Sequence, residues 1–227
     1  MEFKVVAKII AVTQQKGGVG KSTIAMHLGA AFYEKEKKVL VIDADGQNTL
    51  VHWSNITCEK TDIPFPIINL AESGEKIYKE IKKFVSDYNL IIVDCPPSIT
   101  EKISSVVLLA ASIAVIPISS SPADYWSSIG LIKLIQQAQV INKALKAVFL
   151  LNKTEEKRML TRELKQSLKE ISLPVLKTQI PTRECYKQAM ALGQTVLQMT
   201  DRSSKLASAE IRACANEISA LLNKFSI

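Results

Sequence analysis

Only four cysteines occur in 227 residues. Cys58, Cys95, Cys185 and Cys214 are scattered with no Cys-x-x-Cys pair, a spacing that supports neither a zinc nor a cluster site. They are expected to be idle or buried thiols in a reducing compartment. The two histidines, His27 and His52, are too isolated to suggest metal ligands; His27 reads as a packing residue. Aromatics are only 6% of the chain, and no Gly/Ser/Pro-rich tract or internal repeat divides it. The longest apolar runs, such as residues 90–93 and 113–118, are strand-sized, so no segment spans a bilayer. The first residues, Met1-Glu2-Phe3-Lys4, lack the pattern of a secretory leader. A single domain over residues 1–227 in the cytoplasm is expected, large enough to bury a substantial core.

What the chain does have is alternation. Apolar strand-like runs near 8–14, 38–42, 66–70, 89–94, 112–118 and 146–152 are separated by amphipathic stretches. These stretches fall near 20–36, 74–86, 101–110, 123–141 and 157–171, and a last helix covers about 203–224. Continuous apolar strands between helices predict an α/β fold with a mostly parallel twisted sheet covered on both faces. Ligands in such folds sit at the carboxyl ends of the strands. Ser121-Pro122-Ala123-Asp124 reads as a helix start, with a capping serine and a first-turn proline. In the last helix Ile211, Cys214, Ile218, Leu221 or Leu222, and Phe225 form an apolar stripe, opposite Lys205, Arg212, Asn216 and Asn223.

The formal charge is +7, and residues 153–227 carry five of that excess. A polyanionic partner is compatible with this, although charge alone favours a solubilising surface.

Chemistry enters at residues 14–23, Gln-Gln-Lys-Gly-Gly-Val-Gly-Lys-Ser-Thr, directly after the first apolar run. A strand feeding a glycine-rich turn and then a helix aims successive backbone N–H groups at a polyphosphate. Lys16, Gly17, Gly18, Val19, Gly20, Lys21, Ser22 and Thr23 are the expected binding residues. Lys21 would reach the β- and γ-phosphates and the Ser22 hydroxyl would ligate Mg²⁺. Gln15 takes the place usually held by the first glycine. Lys16 is a second cation; crowding its own loop's phosphates would add repulsion, so a role across a two-fold axis, on a partner's nucleotide, is the more productive geometry.

Two further strands end in carboxylates. Leu90-Ile91-Ile92-Val93-Asp94 followed by Cys95-Pro96-Pro97-Ser98 suits Asp94 to the metal shell. Val39-Leu40-Val41-Ile42-Asp43-Ala44-Asp45 supplies two more; Asp43 is assigned to the metal shell and Asp45 to the attacking water. Near the C-terminal third, Asn152 ends a strand where its amide can read a purine edge. Ile180-Pro181-Thr182-Arg183 forms a stiff turn before a helix that suits packing on a base; each signal is weak alone.

Taken together, Lys16 to Thr23, Asp43-Ala44-Asp45-Gly46-Gln47, Asp94 to Ser98 and Ile180 to Arg183 resemble the ParA/MinD family of deviant Walker-A ATPases. The likeness covers nearly the whole chain in order and looks closest to the short ParA proteins that segregate plasmids. It implies ATP and Mg²⁺ as cofactors, an ATP-dependent sandwich homodimer with Lys16 acting in trans, and slow hydrolysis stimulated by a ParB-like adaptor. It also implies nonspecific DNA binding, nucleoid association, and an adenine site framed by Asn152, Pro181 and Thr182. Arg202, Lys205 and Arg212 are the candidate DNA contacts, with Lys187 a weaker one.

The resemblance has two departures. Gly46 stands where the family often has proline, which loosens the turn after Asp45. Few residues precede the loop, so no N-terminal helix-turn-helix domain is expected. The readings left beside DNA segregation are positioning of a protein cargo such as a carboxysome or chemotaxis cluster, a MinD-like membrane switch, and a non-hydrolysing nucleotide sensor. A cluster carrier like the nitrogenase iron protein is disfavoured by the cysteine spacing, and a membrane partner by the short C-terminal segment.

Overall fold

The computed structural model describes residues 6–35, 37–56, 62–97, 102–119, 121–155 and 173–223, side chains of 122–127 excepted. Its strands are β1 (Lys8–Val12), β2 (Val39–Asp43), β3 (Ile67–Asn69), β4 (Leu90–Asp94), β5 (Ile113–Ile118), β6 (Lys146–Thr154) and β7 (Val175–Pro181). Its helices are α1 (Lys21–Tyr33), α2 (Thr49–Ser54), α3 (Ile77–Lys82, after a 3₁₀ turn), α4 (Lys102–Ala110), α5 (Pro122–Ile141), α6 (Cys185–Ala191) and α7 (Arg202–Asn223). The seven strands form one sheet in the order β3-β2-β4-β1-β5-β6-β7, and every pairing is parallel. This is the α/β, P-loop type of architecture that the alternation predicts.

The interior strands are apolar along their middles because each feeds two cores. Ile10, Val12, Leu90 and Ile92 pack with α1 and α7 on one face. Their alternating neighbours Ile9, Ala11, Ile91 and Val93 pack with Val107, Leu108 and Leu131 on the other. A side-chain period of two divides every strand between both cores. Burying a core leucine or isoleucine contributes about 1.5–3 kcal/mol.

Helix α1 is buried along most of its length, from Ile24 through Phe32. A helix apolar on all sides belongs inside. Gly29 lets it close on β2, since a Cβ there would stand 2.9 Å from Val41 and from the Phe65 ring. Helix α7 shows the expected stripe, with Ile211, Cys214, Ile218 and Leu222 buried.

Three elements depart from the sequence reading. The short helix α2 and the edge strand β7 were not expected. Strand β7 alternates only weakly in burial, and it ends in Pro181, which an edge strand tolerates. The segment 74–86 is a 3₁₀ turn running into a helix that ends at Lys82. Ser121 does take the N-cap position with proline following, but its side chain makes no capping hydrogen bond. The helix expected over 157–171, Cys58, Ser98 and Phe225 lie outside the described residues. Among the described residues no helix is long and apolar enough to cross a membrane.

Candidate functional site

The site is assembled where β1, β2, β4 and β6 end. Between β1 and α1 the chain passes through Gly18 at φ 77 and Gly20 at φ 94, the left-handed region that favours glycine. Gly20 is the N-cap of α1, which has no acidic residue in its first turn. The helix therefore presents uncompensated N–H groups and the positive end of its dipole.

The entrance to the loop is pinned from behind. Gln14, buried, donates from Nε2 to Ser128 Oγ at 3.0 Å and accepts the Gln15 N–H at 2.8 Å.

Lys21 is buried, and its ammonium donates to the Lys16 carbonyl at 3.3 Å. Burial lowers its pKa, offset in part by Asp94 and then Asp45. A bound polyphosphate would supply the negative charge that this cation is short of.

Asp94 is fully buried between its register partners, Val12 on β1 and Asp43 on β2. Neither of its carboxylate oxygens has a hydrogen-bond partner. Burial pushes its carboxyl up to about 7; the Ser22 hydroxyl works against this, and nearby Asp43 adds to it. A buried carboxylate with two orphan oxygens beside a serine hydroxyl suits a divalent cation. Mg²⁺ is typically held by one or two carboxylates together with hydroxyl, phosphate and water oxygens. Among the described residues no group of three or more His, Cys, Asp or Glu side chains is placed to hold a metal ion.

Asp43, assigned to the metal shell from the sequence, also has a structural task in the fold. Its Oδ2 accepts the N–H groups of Leu50 at 2.9 Å and Val51 at 3.3 Å, and its Oδ1 accepts that of Asp45 at 3.1 Å. Both oxygens serve to start α2 and close the turn before it. Such bonds to the start of a helix satisfy its orphan donors. Asp45 is only half-buried, with one oxygen accepting the Gln47 N–H at 3.0 Å.

Asn152 and Lys153 close the site from β6. Asn152 Nδ2 donates to the Val19 carbonyl at 2.7 Å, and Lys153 Nζ donates to the Gly18 carbonyl at 2.6 Å. Beside them is a cavity of about 220 Å³ lined by Thr23, Asn152, Pro181, Thr182, Tyr186 and Met190, among others. The structure thus brings the expected base-framing residues Asn152, Pro181 and Thr182 to one pocket next to the phosphate loop. Arg183 braces that turn by a bidentate pair with Glu210 of α7, at 3.1 and 2.5 Å.

A larger cavity, of about 700 Å³, lies at the opposite end of the sheet and is lined by Lys8, Lys82, Lys143 and Lys146. Helices end there, and lysines near helix C-termini compensate the dipole; Lys146 bonds the Leu221 carbonyl of α7.

The candidate DNA contacts separate. Arg202 and Lys205 are exposed on the first turn of α7. Arg212 instead holds Glu34 through two bonds of 2.7 and 2.8 Å, and Lys187 pairs with Glu184 at 3.1 Å. Their charges are offset locally.

Sequence reasoning missed Lys153, which carries no pattern of its own beyond following Asn152. It also undervalued His27. That ring is wholly buried and accepts the Val196 N–H at Nε2, so it positions the chain as well as filling space.

A strand, a loop of inward N–H groups, a helix N-terminus, a buried lysine and an orphan carboxylate define a P-loop nucleotide-binding protein. A profile of the CobQ/CobB/MinD/ParA nucleotide binding domain matches residues 10–196. The chain belongs to that family. It is 30% identical over 215 residues to the maintenance of carboxysome distribution protein A of Halothiobacillus neapolitanus, covering 95% of this chain and 94% of the relative. It is 26% identical to the sporulation initiation inhibitor protein Soj of Bacillus subtilis, covering 86% of this chain and 92% of that one. The fold is similar to that of cobyrinic acid a,c-diamide synthase from Mycobacterium smegmatis with bound ATP analog and magnesium. There the TM-score is 0.77 at 21% identity, with 96% of each chain covered.

Proposed function

We propose that this protein is an ATP-driven positioning enzyme whose cargo is a protein assembly, such as a carboxysome. ATP and Mg²⁺ are its cofactors, and the ATP-bound form is a homodimer. The observation that carries the catalytic part is Asp94, a buried carboxylate whose oxygens accept no close hydrogen bond, next to Ser22 and Lys21. Asp94 and Ser22 would hold Mg²⁺, which when bound neutralises the phosphate charge that develops in transfer. Lys21 binds the phosphates, and Asp45 orients the attacking water. Lys16 reaches across the two-fold axis to the partner's nucleotide. Asn152 is oriented by its bond to Val19, leaving Oδ1 to accept from the amino group of adenine beside Pro181 and Thr182.

The choice of a protein cargo over plasmid or chromosome DNA is supported by the relatives. The carboxysome distribution protein of H. neapolitanus is 30% identical, against 26% for Soj. DNA segregation is the second reading, supported by the same fold and loop. In both, DNA is the surface on which the dimer rides, contacted through phosphates by Arg202 and Lys205 from two subunits and released by salt. An adaptor protein that stimulates hydrolysis completes the cycle and ties the enzyme to its cargo.

Co-sedimentation with plasmid DNA or with acidic liposomes tests this. Retention on DNA with ATP, and loss with ADP, is expected. Retention on liposomes with no binding to DNA would overturn the proposal in favour of a membrane switch.

A further inference from the structure

We infer that Lys153 is a positioning residue for the phosphate loop, gripping it from behind so that its amides face the nucleotide as strong donors. The inference rests on the loop binding a nucleoside triphosphate.

A loop that turns its N–H groups inward to an anion must turn the matching carbonyls outward. Two of those carbonyls, on the consecutive residues Gly18 and Val19, are met by two consecutive residues of β6. Lys153 Nζ donates to Gly18 O at 2.6 Å and Asn152 Nδ2 to Val19 O at 2.7 Å. The Gly18 carbonyl belongs to the same peptide unit as the Val19 N–H, and the Val19 carbonyl to that of the Gly20 N–H. A cation on a carbonyl oxygen polarises its peptide and strengthens the donor at the other end. Lys153 therefore acts on the phosphate through a peptide group that it never leaves.

The backbone is bent to permit this. Lys153 has φ 53; among the described residues the only other non-glycine with a positive φ is Asn48. The pairing of β6 with β7 shifts register between Asn152 and Thr154. That irregularity takes Lys153 out of the ladder, so its side chain turns back over the loop. A left-handed non-glycine residue is strained and persists where the surroundings over-determine it. Gly20 completes the arrangement, because a Cβ there would lie 2.4 Å from Asn152 Nδ2 and 3.8 Å from the Lys153 side chain.

A plain alternative is that Lys153, which also lines the base pocket, is only a wall for the purine. The two roles separate by ligand. Affinities for ATP, GTP and inorganic triphosphate are to be measured by calorimetry for wild type, Lys153→Met, Lys153→Arg and Lys153→Gly, with thermal melts in parallel. The inference predicts that Lys153→Met weakens ATP and inorganic triphosphate alike, by about five- to tenfold, with the ATP-to-GTP ratio unchanged and partial rescue by arginine. Lys153→Gly should melt no lower than wild type, since the strain is relieved, yet lose the same affinity. Unchanged triphosphate affinity in both variants, or a loss confined to base-bearing ligands, would overturn the inference and leave the nucleotide reading standing. A wild-type chain that binds none of the three ligands would overturn both.

Discussion

The backbone N–H of Val196 donates to Nε2 of His27 at 3.1 Å across 169 residues of chain. Nδ1 of the same ring lies 2.7 Å from the Thr23 carbonyl. An amide can only donate and a carbonyl only accept, so the ring is neutral with its proton on Nδ1. Trp53 and Tyr186 contact it edge-on, with centroids at 5.5 and 5.1 Å. The helix that carries the phosphate loop is thereby tied to the segment leading into α7.

A pH dependence of stability follows. Burial pushes the His27 pKa down to about 4, below its ordinary value, so the unfolded chain takes up the proton first. The stability from this group is complete above pH 6.5 and is lost as pH falls towards 4. Asp94, raised to about 7, tilts the other way over that range, but it is common to wild type and a His27→Gln variant. Urea titrations at pH 7.5 and 4.5 should show wild type losing about 2–3 kcal/mol more than the variant. Equal losses would contradict the account.

Gly20→Ala should weaken the binding of nucleotide. The new methyl meets Asn152 Nδ2 at 2.4 Å and the backbone holds φ 94, so both the clamp and the loop must shift. A loss of ATP affinity of about tenfold or more is expected, read by fluorescence with a labelled nucleotide. By contrast, Gly46 has open space around it and no positive φ. Gly46→Ala should raise stability by about 0.4–1 kcal/mol, because it restricts the unfolded chain.

Asp94→Asn separates cost from use. Without ligand at pH 8, where the buried carboxylate is charged and only weakly compensated by Ser22 and Lys21, the variant should melt no lower than wild type, because burying a charge is costly. Added Mg²⁺ should then fail to raise the melting temperature of the ATP-saturated variant as it does for wild type. A wild-type response to Mg²⁺ would remove Asp94 from the metal site.

Much of this was legible because it is periodic or chemically loud. The apolar runs ending at Val12, Asp43 and Asp94 announced parallel strands, and the glycines with Lys21 announced the loop. The hold of Asp43 on the start of α2 was not legible, because that six-residue helix is too short to show a period in sequence. Strand β7 was hidden by its edge position, where burial alternates weakly. Nothing in a lysine foretells a left-handed backbone, so Lys153 emerged only from its bond to Gly18. The pairing of Arg212 with Glu34 joins residues 178 apart, a separation no local pattern reports.

The claim on which the functional account turns is that Lys16 serves the partner's nucleotide. Mixing Lys16→Ala with Asp45→Ala, each inactive alone, is the most direct measurement, with phosphate release followed in the presence of DNA. In a mixed dimer one site keeps its own Asp45 and receives an intact Lys16 from its neighbour. The account predicts recovery to roughly a quarter of the wild-type rate, as half the dimers are mixed and each has one working site. A mixture no more active than its two components would contradict it.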